Sequence, residues 1–273
     1  MIQTPDSAPA RVPETAADSS PAAAQGDSSG HSPQHARLHQ ARAALQTLDH
    51  GADSATVRHP PLYPLPGMDL TRGRVHEITG PARRSLAAIA AGAAAHEGPV
   101  MWLRPAWRAE TLCPQGLPPL AGPALAEALI LAHCRHEADI LASMEEALRA
   151  GCVALVLAEI ATAPDLRQIR RLHLAAAEGC ARAGTDDAAQ GHGTAPLGLL
   201  LAQDRAESRI NGVESRWALH PLHPLPPADT AAPRWRLERL RARDAPPAAW
   251  QLTGPNPITG AGLMRLTLLP AAD

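Results

Sequence analysis

The sequence predicts an α/β protein with a mostly parallel sheet, antiparallel strands at one edge and a disordered N-terminal tail. Three observations lead there. Short, continuously apolar runs such as VALVLAE (153–159) and PLGLLLA (196–202) are typical of strands buried on both faces. They alternate with longer stretches of helical periodicity, the order that a parallel sheet covered on both sides requires. After residue 203 the segments become shorter and apolar residues alternate with polar ones, as in strands with one solvated face.

The bulk numbers set limits. A chain of 273 residues that is 45% hydrophobic holds one medium-sized core plus tails. The formal net charge of −2 excludes a global polycation. All 25 basic residues are Arg, Phe is absent, and aromatics make up 2%. A GC-rich coding sequence produces this skew, so each Arg has to be argued at its own position. The four cysteines (Cys113, Cys134, Cys152, Cys180) include no C-x-x-C pair, and Cys134 and Cys152 sit in apolar runs. This pattern predicts free thiols in a reducing compartment. The first residues lack the charged and apolar regions of a secretory signal, and no run reaches membrane-spanning length. A cytoplasmic protein without a membrane segment is expected.

Taken in order, residues 1–32 are Ala, Pro, Ser, Asp and Gly with few large apolar groups, too little to offset ordering entropy. Residues 33–59 hold an amphipathic helix and linker: Leu38, Ala41, Leu45 and Leu48 recur at helical spacing, and Gly51 signals its end. Residues 51–66 read as loop. The domain then occupies 60–273, ending in a β extension. RVHEIT (74–79) predicts a strand, RSLAAIAAGAAAHEG (84–98) a helix and PVMWLR (99–104) a strand. ALILAHC (128–134) follows as a strand and HEADILASMEEALRAG (136–151) as a helix, with a Glu145–Arg149 pair and Gly151 as terminator. VALVLAE, the helix 164–184 and PLGLLLA complete the alternation. ESRWALHPL, RWRLERLRAR, AWQLTG and GLMRLTLL supply the antiparallel edge.

The stretch GRVHEITGPARRSLAAIAAG (73–92) has the setting of a phosphate-binding loop, with a strand, a Gly and then an Ala-rich helix. A working loop is G-x-x-x-x-G-K-[ST]: backbone N–H groups cradle the phosphates, the Lys neutralises charge and the hydroxyl holds Mg²⁺. Here Gly80 begins the loop and Pro81, Ala82, Arg83 and Arg84 fill the spacer. Ser85, Leu86 and Ala87 then stand where Gly-Lys-Thr belongs. The chain has no Lys, so no shifted alignment recovers one. Losing a charge-assisted phosphate contact costs roughly 1.5–3 kcal/mol.

The run PLPGMDLTRGRVHEITGP (64–81) resembles the lead-in to the RecA-type ATPase core. VALVLAE sits where that core has its Walker B strand, and QDRAESRINGVESRW (203–217) where it has a DNA-contacting mobile loop. The degenerate loop, together with LRPAWRAE, MEEALRAG, RRLHLAAAEG, GVESRW and RWRLERLRARDAPPAAWQL, makes the chain similar to the ImuA family over about residues 60–252. These are RecA-like accessory proteins of bacterial translesion-synthesis cassettes. The resemblance implies a RecA-like core, a role in DNA-damage-induced (SOS) mutagenesis and two partners. One is ImuB, a Y-family-like protein, and the other an error-prone DnaE-type polymerase subunit; RecA is a further candidate, and DNA contact stays open. Departures from the RecA pattern all point away from turnover. The strand that should lead to a water-polarising acid ends in Arg104, Pro105 and Ala106, and the Walker B acid falls on Ala158 or Glu159 according to register.

These features predict a non-enzymatic adaptor with no catalytic residue, cofactor or metal. Two other classes stay open: a division inhibitor of the SulA type, also RecA-like without a phosphate loop, and a weak nucleotide-binding protein or ATPase relying on Arg83, Arg84 and Glu159. Arg83 and Arg84 either replace the missing Lys or are simply solvated, and solvation is the simpler reading because cations sit poorly at a helix N-terminus. Arg205 and Arg209 are candidates for contact with phosphate or a partner, although Asp204 and Glu207 offset their charge. Arg239, Arg241 and Arg243 are expected on one side of a strand, since i, i+2 and i+4 share a face. They could bind an acidic partner or DNA, or keep an edge strand soluble. His133, Cys134 and His136 lack zinc spacing, HPLHP (220–224) reads as an exposed turn, and Ser85, Ser208 and Ser215 lack a nucleophile-elbow context.

Overall fold

The computed structural model describes residues 59–185, 194–202, 210–222, 233–254 and 265–268, all within the unit Asp53–Asp273. The predicted tail (1–32) and amphipathic helix (34–50) lie outside the described residues, as do Arg205 and Arg209.

The strands are β1 Leu62–Leu65, β2 Met68–Leu70, β3 Val75–Thr79, β4 Val100–Pro105, β5 Leu129–Cys134, β6 Leu155–Glu159 and β7 Leu197–Leu201. They continue with β8 Ser215–Leu222, β9 Arg234–Ala242, β10 Ala248–Thr253 and β11 Arg265–Leu268. The helices are α1 Arg83–Ala94, the short α2 Pro118–Ala121 and α3 Ala124–Ala128, then α4 Glu137–Ala150 and α5 Leu166–Thr185. The main sheet runs β11-β10-β9-β8-β3-β7-β6-β4-β5. From β8 to β5 neighbouring strands are parallel, and from β8 to β11 they are antiparallel. This is the predicted mixed α/β architecture.

Position in the sheet follows from sequence. LVLAE and LGLLL are buried at every residue and occupy the centre, where both faces are covered. One face carries α1 and the β1–β2 hairpin over Ile78, Trp102, Leu155, Leu157, Leu199 and Trp217. The other carries α4 and α5 over Val75, Leu103, Val156, Ala158 and Leu200. α4 begins with Glu137 and Asp139 in its first turn, where acids suit the helix dipole. The Glu137 carboxylate accepts the Ala161 N–H at 2.7 Å, tying that helix to the chain leaving β6. Gly151 ends α4 in the left-handed conformation at φ 69°. Asp165 and Gln168 cap α5 reciprocally, each main-chain N–H donating to the other's side chain at 2.8 Å. α5 then lies close against α4, because a Cβ at Gly179 would come within 2.0 Å of the Leu148 carbonyl oxygen.

Several expectations need correction. Residues 62–65 are a strand paired with β2, not loop: an irregularity between Leu62 and Leu65 lets both be buried, and the hairpin packs against α1. His220 and Pro221 belong to β8 rather than a turn. Cys152 is exposed, because it follows the helix-ending Gly151 and precedes β6. No described helix is long and apolar enough to cross a membrane.

A polar cluster is buried under the hairpin side of β3. His76 Nδ1 lies 2.7 Å from Ser215 Oγ, His76 Nε2 lies 3.1 Å from the Thr71 carbonyl, and the Trp217 indole N–H donates to Ser215 Oγ at 2.9 Å. Burial lowers the His76 pKa to about 4, so the ring is neutral in the folded protein at neutral pH. The unfolded chain takes up a proton near pH 6.5 that the folded chain refuses until about pH 4. Stability should therefore fall by up to about 3 kcal/mol as pH drops through that window. Urea unfolding of the native chain and of His76→Gln at pH 7.5 and 4.5 checks this; the variant should show a shallower pH dependence.

Candidate functional site

Ligands in open α/β sheets bind beyond the carboxyl ends of parallel strands. Here that end of β3 leads through Gly80, Pro81 and Ala82 into α1. The connection is shorter than the predicted phosphate loop. Arg83 and Arg84 are in the helix, not in a spacer, and the turn lies flat on β8: the Ala82 N–H donates to the Leu219 carbonyl at 3.1 Å. Gly80 has φ 91°, and a Cβ there would meet the Leu219 oxygen at 2.6 Å. Leu86 and Ala87 point into the core and are fully buried. Ser85 is half-buried, and its N–H donates to the Ala82 carbonyl at 3.0 Å.

The centre of the site is a carboxylate. Alternation along β6 sends Glu159 to the α1 face with Leu155 and Leu157, and Ala158 to the opposite face. Register with β4 puts Trp102 and Arg104 beside it. Glu159 Oε1 accepts the Trp102 indole N–H, Arg104 Nε–H and Arg84 Nε–H, each at 3.1 Å, and Oε2 accepts Arg84 Nη2–H at 2.7 Å. Glu159 is 5% exposed, Arg104 1% and Trp102 0%. Arg104 Nη2 also donates to the Glu110 carbonyl, and the Glu110 carboxylate lies 3.5 Å from Arg84 Nη2. Burial works against the Arg84 charge, but the hydrogen bonds and field of Glu159 outweigh it and hold its pKa above the ordinary value. Arg83 has its pKa lowered, first by burial and then by Arg84, and it donates to the Gly80 carbonyl at 3.3 Å.

The arrangement is a closed ion-pair cluster. Both oxygens of Glu159 are taken by protein donors. Arg84 is thus not a solvated cation as expected; it clamps Glu159 through two nitrogens, the geometry that suits guanidinium and carboxylate. Arg104, read from sequence only as the absence of an acid, is the second partner. An Arg at the end of a strand beside a Glu-terminated strand was the available signal.

The three C-terminal arginines do not share a face. Arg239 pairs with Trp217 and Arg241 with Arg216, leaving Leu240 as an extra residue in β9. A bulge of this kind reverses the alternation. The Arg239 guanidinium lies 5.7 Å from the Trp217 ring centre and 5.3 Å from that of Trp250, and it donates to the Pro246 carbonyl at 2.9 Å. Arg241 and Arg243 instead act on Glu214 on the α5 side of the sheet, where burial raises the Glu214 pKa and Arg74, 3.8 Å away, opposes the rise. Ser215 serves the buried His76 cluster. Two further pairs escaped the sequence reading because their partners are distant in the chain: Glu77–Arg216 at 2.6 Å and the Arg72–Glu97 pair, whose Arg also donates to the Ala154 and Ala195 carbonyls.

Fold and site together define an α/β protein with a parallel sheet whose carboxyl-end acid is neutralised by its own arginines. No family model matches the chain. It is 32% identical to Protein ImuA of Caulobacter vibrioides strain NA1000 / CB15N over 221 residues, covering 71% of this chain and 82% of that protein. The same figures hold for Protein ImuA of C. vibrioides strain ATCC 19089 / CIP 103742 / CB 15. The chain belongs to the ImuA family.

The cluster makes a strong demand on Glu159. Glu159→Gln leaves the buried Arg104 without its countercharge and should lower unfolding free energy by about 3 kcal/mol or more. Chemical denaturation checks this; a loss below about 1 kcal/mol would show that the cluster is dispensable. Gly80→Ala, strained by its positive φ and the Leu219 oxygen, should cost about 1–3 kcal/mol in the same assay.

Proposed function

We propose that this chain is a non-catalytic adaptor on a RecA-like core. It acts in the ImuA-associated mutagenesis system, in SOS-induced translesion DNA synthesis in the cytoplasm. Membership of the ImuA family supports the process. The observation that carries the non-catalytic reading is Glu159: its carboxylate is saturated by Arg84, Arg104 and Trp102, where an ATPase needs an acid free to work through Mg²⁺. The short Gly80–Ala82 turn and the core-facing Leu86 and Ala87 agree, since the turn is too short to wrap phosphate and those two side chains carry neither charge nor hydroxyl.

The adaptor works by binding. Its partners are an ImuB-like Y-family protein and a DnaE-type polymerase subunit, with RecA a third candidate, as the family resemblance suggests. The domain of residues 60–273 presents the binding surfaces. Arg205, Arg209, Arg241 and Arg243 are the contact candidates for a partner or DNA. Arg239 is the weakest of the original set, since its guanidinium is held against two indoles.

Calorimetric titration of the full chain with Mg-ATP tests the core of this reading. No heat of binding is expected at millimolar nucleotide. Micromolar affinity that disappears in Arg83→Ala/Arg84→Ala would replace the adaptor by a nucleotide sensor. Co-purification tests the partners: capture of the division-forming tubulin homologue instead of the ImuB-like protein would favour the SulA-type class.

A further inference from the structure

Four arginines, Arg234, Arg236, Arg241 and Arg243, lie on β9 and the residue just after it. In an unbroken strand the first two would face one side of the sheet and the last two the other. The bulge at Leu240 cancels that difference. Leu237 belongs to the apolar layer under the hairpin, with Trp217 and Leu219 of β8, so Arg234 and Arg236 point to the opposite side. Past the bulge Arg241 pairs with Arg216, whose Nε–H donates to Glu77 at 2.6 Å. Glu77 is on that opposite side too, since its neighbour Ile78 lies in the hairpin layer. The Arg243 charge acts on His173 of α5, again on the same side.

This side of the antiparallel half is open. The apolar layer under α4 and α5 takes no residue from β8, β9 or β10, and among the described residues no helix packs against β9 or β10. Arg236, Arg241 and Arg243 are exposed and Arg234 is half-buried. Three nearby acids are already matched: Glu238 accepts Arg236 Nε–H at 2.8 Å, Glu77 holds Arg216, and Glu214 lies 3.8 Å from Arg74. Asp244, next to Arg243, offsets part of the remaining charge. Arg234, Arg241 and Arg243 have no ion-pair partner among the described residues. The tryptophans of these strands, Trp217, Trp235 and Trp250, all belong to the hairpin layer and so face away.

We propose that this open face binds the phosphate backbone of duplex DNA through Arg234, Arg236, Arg241 and Arg243. The inference rests on the reading of Arg241 and Arg243 as contacts for a partner or DNA, and it adds the other two. A row of guanidinium groups in excess of their acids fits a ligand of regularly repeated negative charge. From Arg234 to Arg241 the strand runs about 23 Å at about 3.3 Å per residue. That length matches about seven base pairs of duplex. Single strands are held by stacking their bases on aromatic rings, and the three tryptophans here are turned away. A duplex has its bases already stacked and presents phosphates, which guanidinium groups bind without reading sequence.

Fluorescence anisotropy of the full chain with a labelled duplex of random sequence, two helical turns long, tests this. Between about 50 and 200 mM salt the affinity should fall about a hundredfold, a log–log slope of about −3 to −4 for four phosphate contacts. Arg234→Ala/Arg236→Ala and Arg241→Ala/Arg243→Ala should each weaken binding about tenfold and make the slope shallower by about 2. Arg241→Lys/Arg243→Lys should keep most of the affinity, because phosphate answers to charge. Unlabelled single strand should compete less well than unlabelled duplex. The proposal is overturned by a native chain that ignores the duplex at tens of micromolar and low salt, or by binding indifferent to both Ala pairs. A Lys pair no better than the Ala pair, or a preference for single strand, overturns it as well. A chain that ignores the duplex but loses capture of the ImuB-like protein on Arg241→Ala/Arg243→Ala would give this face to an acidic protein surface. That result overturns the DNA assignment and leaves the adaptor reading standing.

Discussion

A desolvated carboxylate at the end of β6 constrains everything around it. Glu159 cannot be charged and 5% exposed without donors, and it recruits them from three elements: Arg84 from α1, Trp102 and Arg104 from β4. The helix after the glycine turn is thereby tied to the strands it covers. The turn is short because Arg83 and Arg84 already belong to α1, and from its first turn Arg84 reaches Glu159. The same constraint underlies the functional proposal: the donors that keep the acid stable in the fold occupy both of its oxygens.

The antiparallel half of the sheet depends on a second set of interactions. Trp217 and Trp250 stack with ring centres 5.8 Å apart, and Arg239 lies against both. Burial lowers the Arg239 pKa and Asp69 opposes the shift. The bulge at Leu240 lets one strand serve two purposes. Before it, Trp235, Leu237 and Arg239 face the apolar layer; beyond it, Arg241 and Arg243 turn to the charged surface around Arg74 and Glu214.

Legibility in the sequence tracked the range of the interaction. Strands 153–159 and 196–202 were readable because continuous apolar runs demand burial on both faces whatever surrounds them. The Glu145–Arg149 pair, 2.7 Å apart, and the Gly151 terminator were readable because their partners lie within one helical turn. The hairpin at 62–70 was missed because its apolar alternation is broken by prolines, and only α1 supplies the surface it covers. The shared face predicted for Arg239, Arg241 and Arg243 failed because one extra residue against β8 reverses alternation, and nothing in RWRLERLRAR marks that register.

By itself the sequence determined the α/β class, the order of its central elements and the absence of any Lys from the chain. Each follows from residue type and local period, which need no knowledge of neighbours in space. Tertiary structure decided where the remaining charges go. Arg84 and Glu159 are 75 positions apart, and Glu77 and Arg216 are 139 apart. Only strand register and helix placement bring such groups within hydrogen-bond reach. The physical reason is that a charge is solvated by whatever dipoles and ions surround it, and in the folded chain that surrounding is set by the packing of distant segments.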